Sequence, residues 1–388
     1  MKKLILFSLG MMFAILSLLS NNSIGVVSAN NEISGIDSKS YILLDTKSGE
    51  ILCEKSSHDK MPVASICKLM TTLITLEKIE AGILSIDDEV LASGYACSME
   101  GSQAFLDEGC RYKVYDLLKS VIIASANDSS VVLAEAISGS ENEFVKVMNN
   151  RAIELGMSNT FYENANGLPT PNQYSTAYDT AVILMEISQY DIYNELSNIW
   201  MDTLVHPSGR ETELVNTNRL IRYYDYCLNG KTGYTDEAGY CLASTASNDN
   251  LTLVAVVLNG EEASTRFSDS VKLYDYGFAN FESVKVIEKN QKMCDIDVSG
   301  GVVDKISLVT EDDYFVLSKK GGENNVDIRC NIEDTIHAPI LKNSVLGKCD
   351  IVKGGKVVGT INLISTIDIE SQGFGDILKK IANNWNII

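Results

Sequence analysis

The feature that most constrains the fold is a pair of apolar segments in the second half of the chain. Residues 251–258 are Leu, Val and Ala apart from one Thr, residues 239–244 are Gly-Tyr-Cys-Leu-Ala-Ser, and the polar stretch 247–250 lies between them. Apolar runs of this length on either side of turn-forming residues predict two buried, hairpin-connected strands. We therefore expect this hairpin at the centre of an antiparallel sheet.

Helical periodicity surrounds the hairpin in a first region that extends from residue 30 to residue 281. A helix is expected from about Ala64, because apolar residues recur after it at the i, i+3, i+4, i+7 spacing of a helix with one buried face. Further helical runs cover residues 117–122, 131–137 and 271–278. The predicted fold class is α+β, and 388 residues suffice for one large domain and a smaller one.

Two further segments follow the mixed region. Residues 282–368 contain short β-rich runs separated by Gly-Gly turns, which predicts a small β-rich domain. Residues 369–388 place Phe374, Ile377 and Trp385 on one helical face and lysines on the other. This pattern favours an amphipathic helix that lies on a membrane surface, with a helix packed on the β-rich domain as the alternative.

The N-terminus has the pattern of an export signal. Lys2 and Lys3 precede the apolar run 4–19, and Val27-Ser28-Ala29 has the small residues of a cleavage site. We expect residues 1–29 to be removed, with an uncleaved membrane anchor as the alternative. In both cases the remainder should lie outside the cytoplasmic membrane.

Composition excludes several classes of function. The net charge of −20 argues against a nucleic-acid-binding protein, which needs a basic surface. The three histidines lie far apart in the sequence, so we expect no metal and no other cofactor. The nine cysteines include no C-x-x-C pair, and buried free thiols are expected. The pairs Cys97–Cys110 and Cys227–Cys241 are possible disulfides.

Ser65 and Lys68 form the first motif with chemical potential. Residues i and i+3 of a helix are neighbours, so Lys68 can reach the Ser65 hydroxyl and act as its base if burial lowers the lysine pKa. A helix start also offers free N–H groups to a developing oxyanion. Ser57 and Lys60 repeat the spacing, but Pro62 follows closely and disfavours a helix there.

Two more short motifs follow in the sequence. Ser125-Ala126-Asn127 lies where one helix ends and the next begins, so helix capping is the structural alternative to catalysis. Lys231-Thr232-Gly233 leads into the predicted hairpin and should lie on a sheet edge, where glycine allows a substrate backbone to approach closely. Ser140-Glu141-Asn142 and Lys47-Ser48-Gly49 resemble these motifs outside the expected context.

The order S-x-x-K, S-x-N, K-T-G is typical of serine acyl-transfer enzymes. With its flanking segments, the whole chain resembles the D-alanyl-D-alanine carboxypeptidases, which are low-molecular-weight penicillin-binding proteins and serine peptidases of the S11 type. The segments that carry the resemblance are 62–65, 125–128, 166–168, 174–177, 231–235, 238–240 and 266–278. It implies a β-lactamase/transpeptidase-like domain, followed by a β-rich stalk and an amphipathic anchor.

The resemblance also implies a substrate, a peptidoglycan stem peptide ending in D-Ala-D-Ala, and inhibition by β-lactam antibiotics. The implied roles begin with Ser65 as nucleophile and Lys68 as general base. Ser125 would relay a proton to the leaving amine, and Asn127 would hold the substrate amide. The backbone N–H groups of Ser65 and Tyr234 would form the oxyanion hole. The terminal carboxylate would be bound by Lys231, Thr232 and Arg266, on a strand whose Gly233 permits close approach.

Three residues depart from the family pattern. Cys67 stands where many relatives carry Thr, and we expect a buried thiol there. Asn166 stands where some members have His, which leaves the deacylating water without an obvious orienting group. Thr217 stands where some members carry another arginine, so the site would bind the carboxylate without that second cation.

Three other functions compete with this interpretation. A class A β-lactamase shares the motifs and would use a glutamate such as Glu163, but it needs neither a β-rich stalk nor an amphipathic tail. A non-catalytic wall-binding protein is disfavoured because every motif side chain is present. A Ser-His-Asp hydrolase is disfavoured because no histidine has a triad context.

Overall fold

The structure, a computed structural model, describes residues 32–322, 325–333 and 335–378. The expected signal segment 1–29 and residues 379–388 of the expected terminal helix lie outside this part of the chain. Helices and strands mix up to Asn280, and strands predominate from Phe281 onward. The predicted α+β class with a β-rich second region is therefore confirmed.

A five-stranded antiparallel sheet organises the first region, with the strand order β2-β1-β9-β8-β7. Its strands are β1 (Ser40–Asp45), β2 (Ile51–Lys55), β7 (Cys227–Thr235), β8 (Gly239–Asn248) and β9 (Leu251–Gly260). The predicted hairpin is β8-β9, with Asn248 paired to Leu251. Strand β9 is the middle strand, and β7 with its Lys-Thr-Gly motif lies at one edge, as predicted.

Helices cover both faces of this sheet. They are the 3₁₀ helix Ala64–Cys67, α1 (Lys68–Glu80), α2 (Gly94–Cys97), α3 (Val114–Ile123), α4 (Asn127–Ser138), α5 (Glu141–Glu154), α6 (Ala177–Ile187), α7 (Asp191–Ser197), α8 (Leu220–Tyr223) and α9 (Thr265–Asn280). Side chains alternate along β9, so Val254 and Val256 join the core that contains α1, whereas Leu253 and Ala255 pack in the core that contains α9.

Helix α1 is more deeply buried than the sequence predicted. Every residue from Lys68 to Leu76 is buried, because α3, α4 and α6 surround the helix. Each buried Leu or Met side chain contributes about 2 kcal/mol of burial free energy. The prediction of a single buried face was therefore wrong. Thr71 can be buried because its Oγ1 donates a hydrogen bond to the Ala165 carbonyl at 2.6 Å.

Two short antiparallel pairs lie outside the central sheet. Strand β3 (Glu89–Leu91) pairs with β4 (Arg111–Lys113), and β5 (Met201–Val205) pairs with β6 (Glu211–Val215). Arg210, in the turn between β5 and β6, forms an ion pair with Asp107 at 2.8 Å and also binds the Phe105 carbonyl. These contacts tie the β5-β6 hairpin to the loop that precedes β4.

The second region is almost entirely β-structure. Its strands are β10 (Phe281–Ile287), β11 (Lys292–Ser299), β12 (Lys305–Thr310), β13 (Tyr314–Lys319), β14 (Val326–Ile332), β15 (Thr335–His337), β16 (Val345–Lys353) and β17 (Lys356–Ser365). One sheet has the order β14-β16-β17-β12-β11-β15, and β10 pairs with β13. A separate apolar core fills this region, with Leu308, Ile351 and Leu363 at its centre.

The cysteines differ from the pairs suggested by the sequence. Cys330 and Cys349 are register partners on β14 and β16 and form a disulfide. The remaining seven, including both possible pairs at 97/110 and 227/241, are free thiols. Buried free thiols were expected. Four of the seven are buried, and the other three, Cys97, Cys110 and Cys294, are partly exposed.

The chain continues past β17 into residues 374–378, which are helical. Phe374, Ile377 and Leu378 are exposed there, and Phe374 retains 79% of its accessible surface. Within residues 32–378, as far as they are described, no helix has the length and apolar character needed to cross a bilayer.

Candidate active site

Ser65 lies in the 3₁₀ turn that precedes α1 and is partly exposed. The sequence predicted a helix start here, and the structure makes that start a tighter turn in which Ala64 has a φ of +49°. Gly167 packs directly beneath it, since a Cβ on this glycine would lie 2.2 Å from the Ala64 carbonyl oxygen. The loop around Gly167 therefore fixes the backbone on which Ser65 is carried.

Lys68 is fully buried and makes three contacts through its Nζ. The Ser65 Oγ lies at 2.9 Å, the Asn127 Oδ1 at 2.6 Å, and the Asn166 carbonyl oxygen is also within hydrogen-bond range. The last two oxygens can only accept. A neutral lysine amine satisfies both with its two hydrogens, and its lone pair then faces the Ser65 hydroxyl.

The electrostatics favour this neutral form. Burial lowers the pKa of Lys68 from its ordinary value to about 8, although Cys67 and Asp128 act in the opposite direction. A base with a pKa near the working pH is effective in proton transfer. The site thus holds a lysine that is prepared to take a proton from Ser65.

Ser125 and Asn127 occupy the junction between α3 and α4. Ser125 has a φ of +64°, a left-handed conformation that costs a non-glycine residue about 1–2 kcal/mol. Its Oγ accepts a hydrogen bond from Lys231 Nζ at 2.7 Å. Asn127 Nδ2 donates to the Glu100 carbonyl at 2.5 Å, which fixes its Oδ1 toward Lys68.

Side-chain capping, the structural alternative considered at this motif, is wrong. The N-cap of α4 is Ala126, and no side chain caps this helix. The Asp128 carboxylate instead accepts hydrogen bonds from the backbone N–H groups of Ala104 at 2.9 Å and Leu106 at 3.1 Å. Asp128 therefore orders the loop that carries the Asn127 partner Glu100, a contribution that the sequence motif did not reveal.

Lys231, Thr232 and Gly233 lie on β7, against the 3₁₀ turn. A Cβ on Gly233 would lie 2.4 Å from the Val63 carbonyl oxygen, so only glycine allows this approach. Lys231 is buried, and its pKa is lowered well below the ordinary value by burial first and then by the charges of Lys68 and Arg266. The approach of β7 brings Lys231 to Ser125.

Thr232 and Arg266 extend the site along the sheet edge. Thr232 Oγ1 donates to Thr217 Oγ1 at 2.7 Å, and Arg266 Nη1 donates to the Gly233 carbonyl at 3.1 Å. The Tyr234 side chain is exposed and stacks on Tyr240, with ring centroids 4.3 Å apart. All nine predicted site residues thus lie in three groups of elements, namely the 3₁₀ turn with α1, the α3–α4 junction, and β7 with α9.

The three decoy motifs, which repeat the spacing of the site motifs elsewhere in the sequence, lie outside the site. Ser57 donates its hydroxyl to the Glu54 carboxylate, and Lys60 lies over the Tyr174 ring. Ser140 caps α5 by accepting from the Glu143 N–H. Lys47 packs over the Phe315 ring, 3.8 Å from its centroid.

The departures from the family pattern have structural counterparts. Cys67 is a buried free thiol, as expected, and burial raises its pKa to about 12. Asn166 binds Lys68 through its carbonyl, while its side-chain amide donates to Met99 Sδ at 3.4 Å. Glu163 directs its carboxylate to Asn172, accepting from both the backbone N–H and the side-chain amide.

Sequence reasoning missed a cavity beside Thr217. It has a volume of about 650 Å³, and Trp200, Arg219 and Tyr223 line it together with Arg266. One sequence feature could have indicated this cavity. Thr217 stands where some family members carry an arginine, and Arg219 follows two residues later.

Two family models match the chain. One, described as D-alanyl-D-alanine carboxypeptidase, matches residues 26–262, and one, described as penicillin-binding protein 5, C-terminal domain, matches residues 281–371. Among curated proteins, the D-alanyl-D-alanine carboxypeptidase DacF of Bacillus subtilis is 37% identical over 350 residues, 90% of each chain. The D-alanyl-D-alanine carboxypeptidase DacA of Escherichia coli is 30% identical over 364 residues, covering 90% of this chain and 89% of its own length.

Solved structures give the same result. Penicillin-binding protein 5 from Haemophilus influenzae superposes with a TM-score of 0.72 at 30% identity, over 88% of this chain and 99% of its own. A Streptomyces K15 DD-transpeptidase variant superposes with a TM-score of 0.59 at 26% identity, over 63% of this chain and 98% of its own.

Proposed function

The chain belongs to the D-alanyl-D-alanine carboxypeptidase family and is a serine D-Ala-D-Ala carboxypeptidase; from this premise, we propose how its residues perform the reaction. The substrate is a peptidoglycan stem pentapeptide that ends in D-Ala-D-Ala, and the product has lost the terminal D-alanine. β-Lactam antibiotics acylate the same serine. No cofactor takes part in this proposal.

Acylation begins at Ser65. Its Oγ attacks the carbonyl carbon between the two D-alanines while Lys68 takes the hydroxyl proton. The observation that carries this assignment is the set of three Lys68 contacts, because two are to obligate acceptors and only the Ser65 hydroxyl can donate to the amine. The oxyanion is stabilised by the backbone N–H groups of Ser65 and Tyr234.

The leaving group departs on the side of Ser125. As the C–N bond breaks, the amine takes the proton of Ser125 Oγ, which accepts a hydrogen bond from Lys231 Nζ at 2.7 Å. Ser125 is reprotonated by the Lys68 ammonium, so the proton taken from Ser65 ends on the amine and Lys68 returns to its neutral form. Asn127 holds the substrate amide, and water later hydrolyses the ester to free Ser65. The strained backbone of Ser125 supports this role, since such conformations cluster at functional sites.

The terminal carboxylate is bound at the β7 edge by Lys231, Thr232 and Arg266. Buried donors and cations facing one small cleft favour a planar anion over a neutral group. Arg266 supports this assignment because its guanidinium is anchored on the Gly233 carbonyl and its Nε has no partner among the described residues.

Release of D-alanine from a pentapeptide ending in D-Ala-D-Ala tests the function. We expect stoichiometric D-alanine from the purified protein and none from Ser65→Ala, with Ser57→Ala as the matched control that retains activity. Failure of the intact protein to release D-alanine would favour a wall-binding role instead.

Nitrocefin separates this function from a β-lactamase. We expect a single burst followed by slow turnover, because Glu163 is occupied by Asn172 and is not free to activate a water. Rapid sustained hydrolysis would contradict the carboxypeptidase assignment.

We also propose that the protein is exported and held at the outer face of the cytoplasmic membrane. The exposed apolar side chains of Phe374, Ile377 and Leu378 support a membrane-associated tail, and the basic and apolar N-terminal segment supports export. We expect removal of the residues after Ser371 to release the mature protein from membranes. Unchanged membrane association would point to an uncleaved N-terminal anchor.

A further inference from the structure

The cavity beside Thr217 adjoins the proposed carboxylate site and extends beyond it. Thr217 and Arg266 form the part of its wall that adjoins Thr232, because Thr217 Oγ1 accepts from Thr232 Oγ1 at 2.7 Å. Trp200 and Arg219 line the same cavity from other elements of the fold. With a volume of about 650 Å³, the cavity has far more room than the methyl group and carboxylate of D-alanine require.

Two cations face this cavity without an anion. Among the described residues, the arginines that form ion pairs are Arg151 and Arg210, so neither the exposed Arg219 nor Arg266 has an anionic partner, although the chain as a whole carries a net charge of −20. Burial is the main cause that lowers the pKa of Arg266, and the positive charge of Arg219 lowers it further. Like charges gathered in one cleft attract an anionic ligand.

The residues that line the cavity also carry more hydrogen-bond donors than one carboxylate can use. Trp200 Nε1 and Arg266 Nε are both buried N–H groups without an acceptor among the described residues. A carboxylate offers about four acceptor positions. Lys231 and Arg266 supply donors for the terminal carboxylate, and Thr232 joins them when its hydroxyl turns from Thr217 to the ligand. The Arg219 guanidinium and the Trp200 N–H are therefore left for a second acceptor.

We propose that this cavity is a second anion site, for the side chain of the leaving residue, and that the enzyme also hydrolyses D-alanyl bonds to dicarboxylic D-amino acids. The proposal rests on the proposed function. The bonds that form and break are the same: the Ser65 ester forms, the C–N bond breaks, and water hydrolyses the ester. Arg219 and Trp200 determine specificity by binding the second carboxylate of the departing residue.

Three N-acylated tripeptides test this assignment with the purified full chain. They end in D-Ala-D-Ala, D-Ala-D-Glu and D-Ala-D-Leu, and the last controls for size without charge. We expect kcat/KM for the D-Glu peptide to lie within about tenfold of that for the D-Ala peptide, and to exceed that for the D-Leu peptide by at least about tenfold.

Arg219→Gln and Trp200→Phe should lower kcat/KM for the D-Glu peptide by about tenfold or more, mainly through KM, and should affect the D-Ala peptide much less. Arg111→Gln is the matched control, since it removes the same charge from an exposed residue of β4 outside the cavity lining, whereas Arg222 lies over the Trp200 ring and is not independent of the site. Equal losses on the D-Glu and D-Ala peptides would overturn the proposal, because Arg219 would then serve the shared carboxylate.

Release of D-alanine without release of D-glutamate overturns this inference and leaves the proposed function intact. Release of neither contradicts the proposed function as well. A D-Leu peptide cleaved as well as the D-Glu peptide also overturns it, because the cavity would then select for size alone.

Discussion

The two regions of the molecule differ in whether they bury lysines without a carboxylate partner. In the first region Lys68 is 0% exposed and Lys231 is 3% exposed, and neither has a carboxylate of the described residues within ion-pair distance. In the β-rich region, Lys285, Lys292 and Lys305 are all exposed and paired with aspartates.

This difference shows which property of a buried lysine indicates a functional site. Burying a lysine without an anionic partner costs several kcal/mol for the charged form and lowers the pKa of the amine, so folding alone does not explain why such a lysine is retained. Lys119, also in the first region, is nearly as buried but forms ion pairs with Asp116 and Asp202. Burial without a carboxylate partner, rather than burial itself, distinguishes the catalytic region.

The largest expected effect is the loss of Lys68. Lys68→Met should slow acylation by a β-lactam about 10³-fold, because general base catalysis contributes about 10²–10⁴-fold. Lys60→Met is the matched control from the decoy motif and should acylate normally. Stopped-flow measurement of the acylation rate decides, and similar rates for both variants would remove the distinction between the two lysines.

The pH dependence of acylation should follow the same residue. Because the pKa of Lys68 is lowered to about 8, the neutral base is lost as the pH falls below that value. The acylation rate should therefore fall about tenfold per pH unit below 8 and level off above it. Rates measured from pH 6 to 10 check this, and a flat profile would show that the lysine does not act as the base.

Gly167 and Gly321 allow the tightness of backbone packing to be compared between the two regions. Gly167 and Gly321 both have positive φ angles, +84° and +72°, but only at Gly167 would a Cβ meet another backbone. Gly321→Ala should cost about 1 kcal/mol of unfolding free energy from conformation alone. Gly167→Ala should cost more and also slow acylation, because it displaces the turn that carries Ser65. Urea unfolding and acylation rates measure both, and equal losses would contradict the packing role.

The smallest effect is expected at the exposed ion pairs of the β-rich region. Lys292→Ala removes the partner of Asp295, at a position where solvent screens the charges. The urea midpoint and the acylation rate should stay unchanged within error. A clear loss of stability would show that these surface pairs contribute more than their exposure suggests.

The sequence predicted the parts of the site that are local in the chain. Ser65 and Lys68 are neighbours by helical spacing, and the Lys231 motif runs into a recognisable hairpin. The features that it missed depend on contacts between distant segments. Asp128 binds the loop at 104–106, the Asn166 carbonyl binds Lys68, and Cys330 pairs with Cys349 across two strands. No periodicity or spacing encodes such contacts, because they arise only when separate elements pack.

The most direct test of the account is to locate the acyl adduct. The protein is treated briefly with benzylpenicillin, quenched in acid, digested with trypsin and analysed by mass spectrometry. Cleavage after Lys60 separates the two candidate serines, and residues 61–68 contain Ser65 as their one serine. We predict a penicilloyl adduct on this peptide in the intact protein and in Ser57→Ala, and none in Ser65→Ala. An adduct on any other peptide, or one that survives in Ser65→Ala, would contradict the assignment of Ser65 as the nucleophile.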